Sequence, residues 1–223
     1  KKRMNDKREL QLLITYLIAI SFLFGLFLTK DFQKTIAIYI IYGSLAYGTA
    51  FVLYSVLRDM ERVLSLVKID DLTQLNNFRK FQEDRYKADH QEGIVSIALI
   101  DIDHFKQYND RYGHQAGDLI LQEISKIFAT YCTYANAIYR IGGEEFAVLI
   151  QGDRQSAVYL MGKIQKRVKF LTIQVSPEDT VTVTLSIGIA QRQPNESLQQ
   201  TQERADQALY FAKRNGRDQL SIN

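Results

Sequence analysis

Arg140-Ile141-Gly142-Gly143-Glu144-Glu145-Phe146 separates two short apolar runs, Ala137 to Ile141 and Phe146 to Ile150, and so reads as the turn of a β-hairpin. The two glycines leave backbone open to the close approach of a ligand, and the two acids that follow are hard oxygen donors of the kind magnesium prefers. Upstream, the apolar run Ile94-Val95-Ser96-Ile97-Ala98-Leu99-Ile100 ends on Asp101 and leads into Ile102-Asp103-His104-Phe105-Lys106. A carboxylate at the end of a buried strand faces a crevice. If the hairpin pairs beside that strand, Asp101, Glu144 and Glu145 converge on a space a few ångströms wide, which metal ions would neutralise. These residues point to phosphoryl transfer on a nucleoside triphosphate, with two magnesium ions serving the attacking hydroxyl and the departing pyrophosphate.

Outward from the hairpin, helical and strand patterns alternate. Asn77 to Ala88 predicts a helix, Ile94 to Asp101 a buried strand, Gly117 to Tyr131 a long helix and Arg154 to Phe170 another; Val181 to Ala190 predicts a strand and Glu196 to Asn215 the last helix. The fold class is α/β (α+β), and the order resembles the ferredoxin-like palm of nucleotide cyclases and polymerases.

The front of the chain has a different character. Leu10 to Thr29 and Thr35 to Leu57 carry no charge, and each is long enough to cross a hydrocarbon core of ~30 Å. Their short connector, Lys30 to Lys34, implies a two-helix transmembrane hairpin. Lys1, Lys2, Arg3, Lys7 and Arg8 outweigh the two connector lysines, so the positive-inside bias puts both termini on the cytoplasmic side of the inner membrane, as a multi-pass protein. The expected plan is a basic flank at 1–9, two membrane helices at about 10–29 and 35–57, a helical linker at 58–69 and a catalytic domain at 70–223. In the linker, Met60, Val63, Leu64 and Val67 form one helical stripe that either pairs with a second copy or packs on the adjoining domain.

The formal charge of +3 belongs to the membrane flanks: once residues 1–9 and the connector are set aside, residues 35–223 carry −1. A basic face for duplex binding is not predicted, and nucleic acid is not an expected partner. Three histidines and the single Cys132 exclude a disulfide framework and a zinc cluster.

Five blocks in order carry a more specific message: Asp70-Asp71-Leu72-Thr73-Gln74-Leu75-Asn76-Asn77, Asp101 to Lys106, Asn109 to Asp118 with its Gly113-His114-Gln115-Ala116-Gly117 centre, Arg140 to Phe146, and Ala205 to Arg217. Gly-Gly-Glu-Glu-Phe is an accepted form of the GGDEF signature, and the chain resembles the GGDEF-domain diguanylate cyclases from roughly Asp70 to Asp218. The resemblance implies that two GTP condense to cyclic di-GMP and two pyrophosphates in a homodimer with Mg2+, Mn2+ being an alternative, and that the product serves downstream cyclic di-GMP receptors. It assigns metal to Asp101, to the Ile102 carbonyl and to Glu144 and Glu145, with Asp101 and the glutamates catalytic. Guanine would be read by Asn109 and Asp118, with His114 beside them; Phe105, Lys106, Gly143, Lys213 and Arg217 complete the substrate set. Lys213 and Arg217, four apart, are expected on one face of the last helix, where a bland alternative is interaction with the helix dipole. Arg140 either stabilises developing charge or braces the hairpin, and Asp103 is expected to be structural, as a cap of the following helix.

The departures are Gln74 and Phe78, where the family pattern has glycine and arginine, and the inhibitory Arg-x-x-Asp motif, which would fall on Thr133-Tyr134-Ala135-Asn136. An inhibitory product site is therefore not expected. The alternative to a cyclase is a catalytically silent module that binds GTP and signals by contact.

Overall fold

The structure is a computed structural model that describes residues 11, 14–25, 31–131 and 136–223. It divides into two units, 1–66 and 67–223.

In the first unit, α1 (Ile14–Gly25) and α2 (Phe32–Leu66) touch through Tyr39. The Tyr39 ring meets Phe22 edge-on at 5.3 Å, and its hydroxyl donates to the Ser21 carbonyl. Within α2, Gln33–Met60 is 28 residues long, and its most apolar window has a mean hydropathy of 1.8 with none of it buried. Among the described residues it is the one helix long and apolar enough to cross a membrane, which needs about 20 residues. The described part of α1 is shorter than that, and the ends of the first expected span, like the basic flank, lie outside the described residues. The second expected span and most of the expected linker form one uninterrupted helix.

The second unit is a six-stranded sheet covered by helices on both faces. In chain order its elements are β1 (Asn76–Asn77), α3 (Phe78–Asp89), β2 (Ser96–Ile102), α4 (Phe105–Tyr112), α5 (His114–Tyr131), β3 (Asn136–Arg140) and β4 (Glu145–Ile150). After these come α6 (Arg154–Lys169), β5 (Ile173–Gln174), β6 (Thr180–Val181), β7 (Leu185–Gln191), α7 (Leu198–Arg214) and β8 (Leu220–Ile222). The strands lie in the order β1-β3-β4-β2-β7-β8, while β5 and β6 form a separate two-stranded pair. The three central pairings are antiparallel and the two outer ones parallel.

Alternation along the strands sorts the core into two layers. Ala98, Ile100, Phe146, Val148, Leu185 and Ile187 face α4, α5 and α6, where they meet Ile120, Ile124, Phe128, Met161 and Ile164. Ile97, Leu99, Ala147, Leu149 and Ala190 face α3 and α7, meeting Phe81, Ala205 and Leu209. By the same alternation Asp101 and Glu145 belong to the α7 face. The helix starts are capped as their sequences suggest: Asn77 accepts from the Lys80 N–H, Asp153 from that of Ser156, and Ser197 with Gln200 forms a reciprocal capping box.

Two backbone positions constrain this unit. At Gly188 a Cβ would stand 2.1 Å from the Ala205 carbonyl oxygen and 2.2 Å from the Leu209 nitrogen, so α7 rests directly on the β7 backbone. Gln74 has φ 57°, a left-handed conformation that is free only to glycine and explains the glycine of the family pattern.

Gly188→Ala should destabilise by about 3 kcal/mol or more, because rigid backbone rather than a movable side chain blocks the methyl. Gly162→Ala, where an added Cβ meets nothing within 4 Å on α6, should stabilise by up to about 1 kcal/mol. Relief of the left-handed strain by Gln74→Gly should stabilise by about 1 kcal/mol. Chemical denaturation of the three variants checks all of these, and equal effects of the two alanine substitutions would refute the packing argument.

Candidate active site

Asp101 lies near the end of β2, opposite Glu145 of β4 on one side and Ser186 of β7 on the other. It is 7% exposed, and the Lys213 ammonium of α7 donates to its Oδ2 at 2.6 Å. Burial pushes the Asp101 carboxyl above the usual carboxylate range; the hydrogen bond and charge of Lys213 pull the other way, and the charges of Glu144 and Glu145 add to the rise. The site is thus an excess of negative charge with one cation inside it.

The hairpin is tight. The N–H groups of Ile141 and Gly142 both donate to the Glu145 carbonyl, at 2.9 and 3.2 Å, and the Ile102 N–H reaches the Glu144 carbonyl at 3.4 Å, tying the turn to the end of β2. A Cβ on Gly142 would meet Glu145 Oε2 at 2.7 Å, so the Glu145 carboxylate curls over that glycine. A Cβ on Gly143 would meet nothing within 4 Å, and neither glycine has a left-handed φ. Among the described residues nothing stands where a side chain at 143 would go, so the turn is open on that side.

Arg140 braces this turn. Its guanidinium donates to the carbonyls of Gly142 and Gly143 and, through Nη1, to Asp70 Oδ1 at 2.9 Å. Burial alone would raise the Asp70 carboxyl, but hydrogen bonds from Thr73 and Arg140 outweigh it and hold the group below the usual range. Of the two expectations for Arg140, the geometry therefore realises the brace. Asp70 was not among the expected site residues. Its signal was the Asp-x-x-Thr spacing of a side-chain-capped turn, in which the N–H and hydroxyl of Thr73 both donate to Oδ1.

Across the sheet, Asn109 of α4 lies against α5, its Oδ1 occupying the space a Cβ on Gly117 would need, 1.9 Å away. The amide is thereby set beside Asp118, with His114 one turn earlier; both are exposed on the first turns of α5. The expected guanine readers are brought together. Lys106 is exposed on the first turn of α4, whereas the Phe105 ring is buried in the core, so that residue can offer a ligand only its backbone.

Two expectations are corrected. Lys213 and Arg217 do not share a helix face, because α7 ends at Arg214 and Arg217 follows Gly216 with φ 63°. Asp103 does not cap α4; its carboxylate accepts from Thr184 Oγ1, Ser186 Oγ and the Asp218 N–H. Among the described residues no group of three His, Cys, Asp or Glu side chains stands together as a preformed metal cage; Asp101 is paired with Lys213, and the Glu145 carboxylate lies against Gly142. The donor chemistry still suits magnesium, which characteristically binds through one or two carboxylates plus substrate phosphates rather than in an all-protein cage. Positions 133–135 of the expected inhibitory motif lie outside the described residues.

A groove of about 500 Å3 runs between α7 and the sheet, lined by Leu99, Ile141, Glu145, Glu203 and Asp206 among others. Its acidic lining disfavours a triphosphate, and Asn109 and Asp118, the residues expected to read guanine, belong to α4 and α5 on the opposite layer.

Comparison with known proteins gives this geometry a context. The family described as diguanylate cyclase, GGDEF domain, matches residues 67–219. Diguanylate cyclase A of Treponema denticola is 40% identical over 131 residues, 58% of this chain and 35% of that protein. The crystal structure of the GGDEF domain of DgcB from Caulobacter crescentus in complex with c-di-GMP superposes with a TM-score of 0.66 at 31% identity, over 70% of this chain and 95% of that one. The active GGEEF domain of a diguanylate cyclase from Vibrio cholerae gives a TM-score of 0.61 at 32% identity, over 67% and 97%. The chain spans half or less of the length of the curated relatives it matches. With a family match over most of its length, and a fold that superposes on these solved domains, the chain belongs to the GGDEF family.

Proposed function

We propose that this protein is a diguanylate cyclase, joining two GTP into cyclic di-GMP with release of two pyrophosphates. The observation that carries the reading is the Asp101–Lys213 pair, a buried carboxylate at a strand end held against a lysine beside the open Gly143 turn. The family match and the GGEEF relative support it.

In this reading Asn109 and Asp118 accept from the guanine N1–H and N2–H edge, an arrangement that leaves the carboxylate unpaired against adenine. Lys106, Lys213 and Arg217 would meet the triphosphate; Lys213, which donates to Asp101 in this structure, is within the site from which it would turn to the phosphates. Asp101, the Ile102 carbonyl, Glu144 and Glu145 are the donors that would hold Mg2+ or Mn2+, which when bound lowers the pKa of a coordinated hydroxyl and offsets charge on the leaving group. Glu144, nearest the reacting hydroxyl by the family resemblance, takes up the 3′-hydroxyl proton. The 3′-oxygen forms a bond to the α-phosphorus of the second GTP as the bond to its pyrophosphate breaks. Repetition on the other side closes the ring. Because the product is two-fold symmetric, two copies of the domain face each other, each holding one GTP.

We assign the chain to the inner membrane, anchored by α2 and, with the residues around α1, as a multi-pass hairpin with both termini and the catalytic domain in the cytoplasm. The silent GTP-binding alternative predicts a lost acid or lysine, and Asp101, Glu144, Glu145 and Lys213 are all present.

Incubation of the detergent-solubilised chain with GTP and Mg2+ should yield cyclic di-GMP by chromatography; bound GTP without product would establish the silent module instead. Glu144→Gln should cut turnover by roughly a hundredfold or more with an unchanged unfolding transition, and near wild-type rates in that variant would defeat the mechanism. Asn109→Ala and Asp118→Ser should each narrow the preference for GTP over ATP by about tenfold or more, read as the ratio of kcat/KM values.

A further inference from the structure

Three consecutive residues after α7 have left-handed backbone: Gly216 with φ 107°, Arg217 with φ 63° and Asp218 with φ 46°. Glycine adopts this freely. The two residues that carry side chains do so under strain, and such strain persists only where surrounding contacts over-determine it. The contacts here are specific. The Asp218 N–H donates to Asp103 Oδ2 at 3.0 Å, the Asp218 carboxylate pairs with Lys169 of α6, and the Arg217 N–H donates to the Ala212 carbonyl at 3.0 Å.

Asp103 is the buried end of this network. It is 2% exposed, and its remaining acceptor capacity takes the hydroxyls of Thr184 at 2.7 Å and Ser186 at 2.6 Å. Ser186 is the register partner of Asp101, so one carboxylate ties the end of β2, the start of β7 and the strained turn to a common point. Two neutral hydroxyls and a backbone N–H satisfy it without a side-chain cation, an arrangement suited to holding geometry rather than to exchanging partners.

We infer that Asp103 is a positioning residue for Arg217: it clamps the left-handed turn so that the exposed guanidinium stands ready at the end of α7 that carries Lys213. This rests on the reading of Arg217 as a phosphate contact. The role explains why a second aspartate follows Asp101 at the spacing that shares its face, although it neither caps a helix nor meets the reacting atoms.

The test is a double-mutant cycle on GTP turnover by the full chain in detergent. Asp103→Asn keeps the size of the side chain but puts an amide donor against donors, which loosens the turn. It should raise KM for GTP about tenfold with kcat within about twofold, Arg217→Ala should do the same, and the double variant should be no worse than Arg217→Ala alone. Lys169→Met removes the exposed arm of the clamp without burying anything; it should raise KM about threefold, again without effect in the Arg217→Ala background. This second cycle decides the matter if Asp103→Asn does not fold. Additive losses, or a fall in kcat with KM unchanged, would overturn the positioning role while leaving the cyclase reading intact. An unchanged KM in Arg217→Ala would remove the phosphate contact itself, and the inference with it.

Discussion

Asp101 is placed where a carboxylate is hardest to keep ionised: near the end of a central strand, 7% exposed, with Glu145 directly opposite on the neighbouring strand. The surrounding structure answers that difficulty. The covering layer provides a cation for it, Lys213 of α7. For the ammonium to reach, α7 must lie close to the sheet, and Gly188 removes the one side chain that would keep it away. The turn beyond α7 is then drawn back across the strand ends and held by Asp103. The Lys213 ammonium gives the buried Asp101 carboxylate a partner within the protein itself, so that the site is filled rather than empty. In an interior of low dielectric that distinction matters, because an unpaired buried charge costs far more than a paired one.

The hairpin depends on a parallel device. Four residues connect β3 to β4, and the carbonyls that point outward at the turn are gathered by Arg140, itself held by Asp70 from the segment before β1. The turn with the open glycine is thereby rigid although it is exposed. A rigid exposed turn is what a phosphate-bearing ligand needs if binding is not to be spent on ordering the loop.

Much of this was legible in the sequence, and what was not has physical reasons. Continuous apolar runs exposed β2 and β4, and the 3.6-residue stripe exposed α5, α6 and α7, because burial leaves its period in the residues. The pattern places the start of α5 late, at Gly117 rather than His114, since its first two residues, His114 and Gln115, are polar and exposed. The sequence marks α4 only as a helix following Asp103, without bounds: of its eight residues only Phe105 is buried, so no stripe exists to read. The two-residue strands β1, β5 and β6 are too short for any alternation, and the run Val181 to Ala190 is divided between β6 and β7. In the site, residue types and blocks indicated Asp101, the glutamates, Asn109 and Asp118. Partnerships did not follow. Lys213 meets Asp101 across 112 positions and Asp218 meets Asp103 across 115, separations to which no local spacing rule applies. The helical reading of Lys213 and Arg217 failed because Gly216, a helix terminator, stands between them.

The backbone contact at Gly188 also bears on how such a chain drifts over evolutionary time. With α7 seated on bare backbone beside Ala205 and Leu209, any residue gained at 188 lifts the helix by about the width of a methyl group and carries Lys213 away from Asp101. A lineage can recover that distance only by lengthening the side chain at 213, by moving the acid, or by abandoning the pair. Positions 101, 188 and 213 are therefore mechanically coupled: the missing side chain at 188 sets the distance across which the charged pair meets.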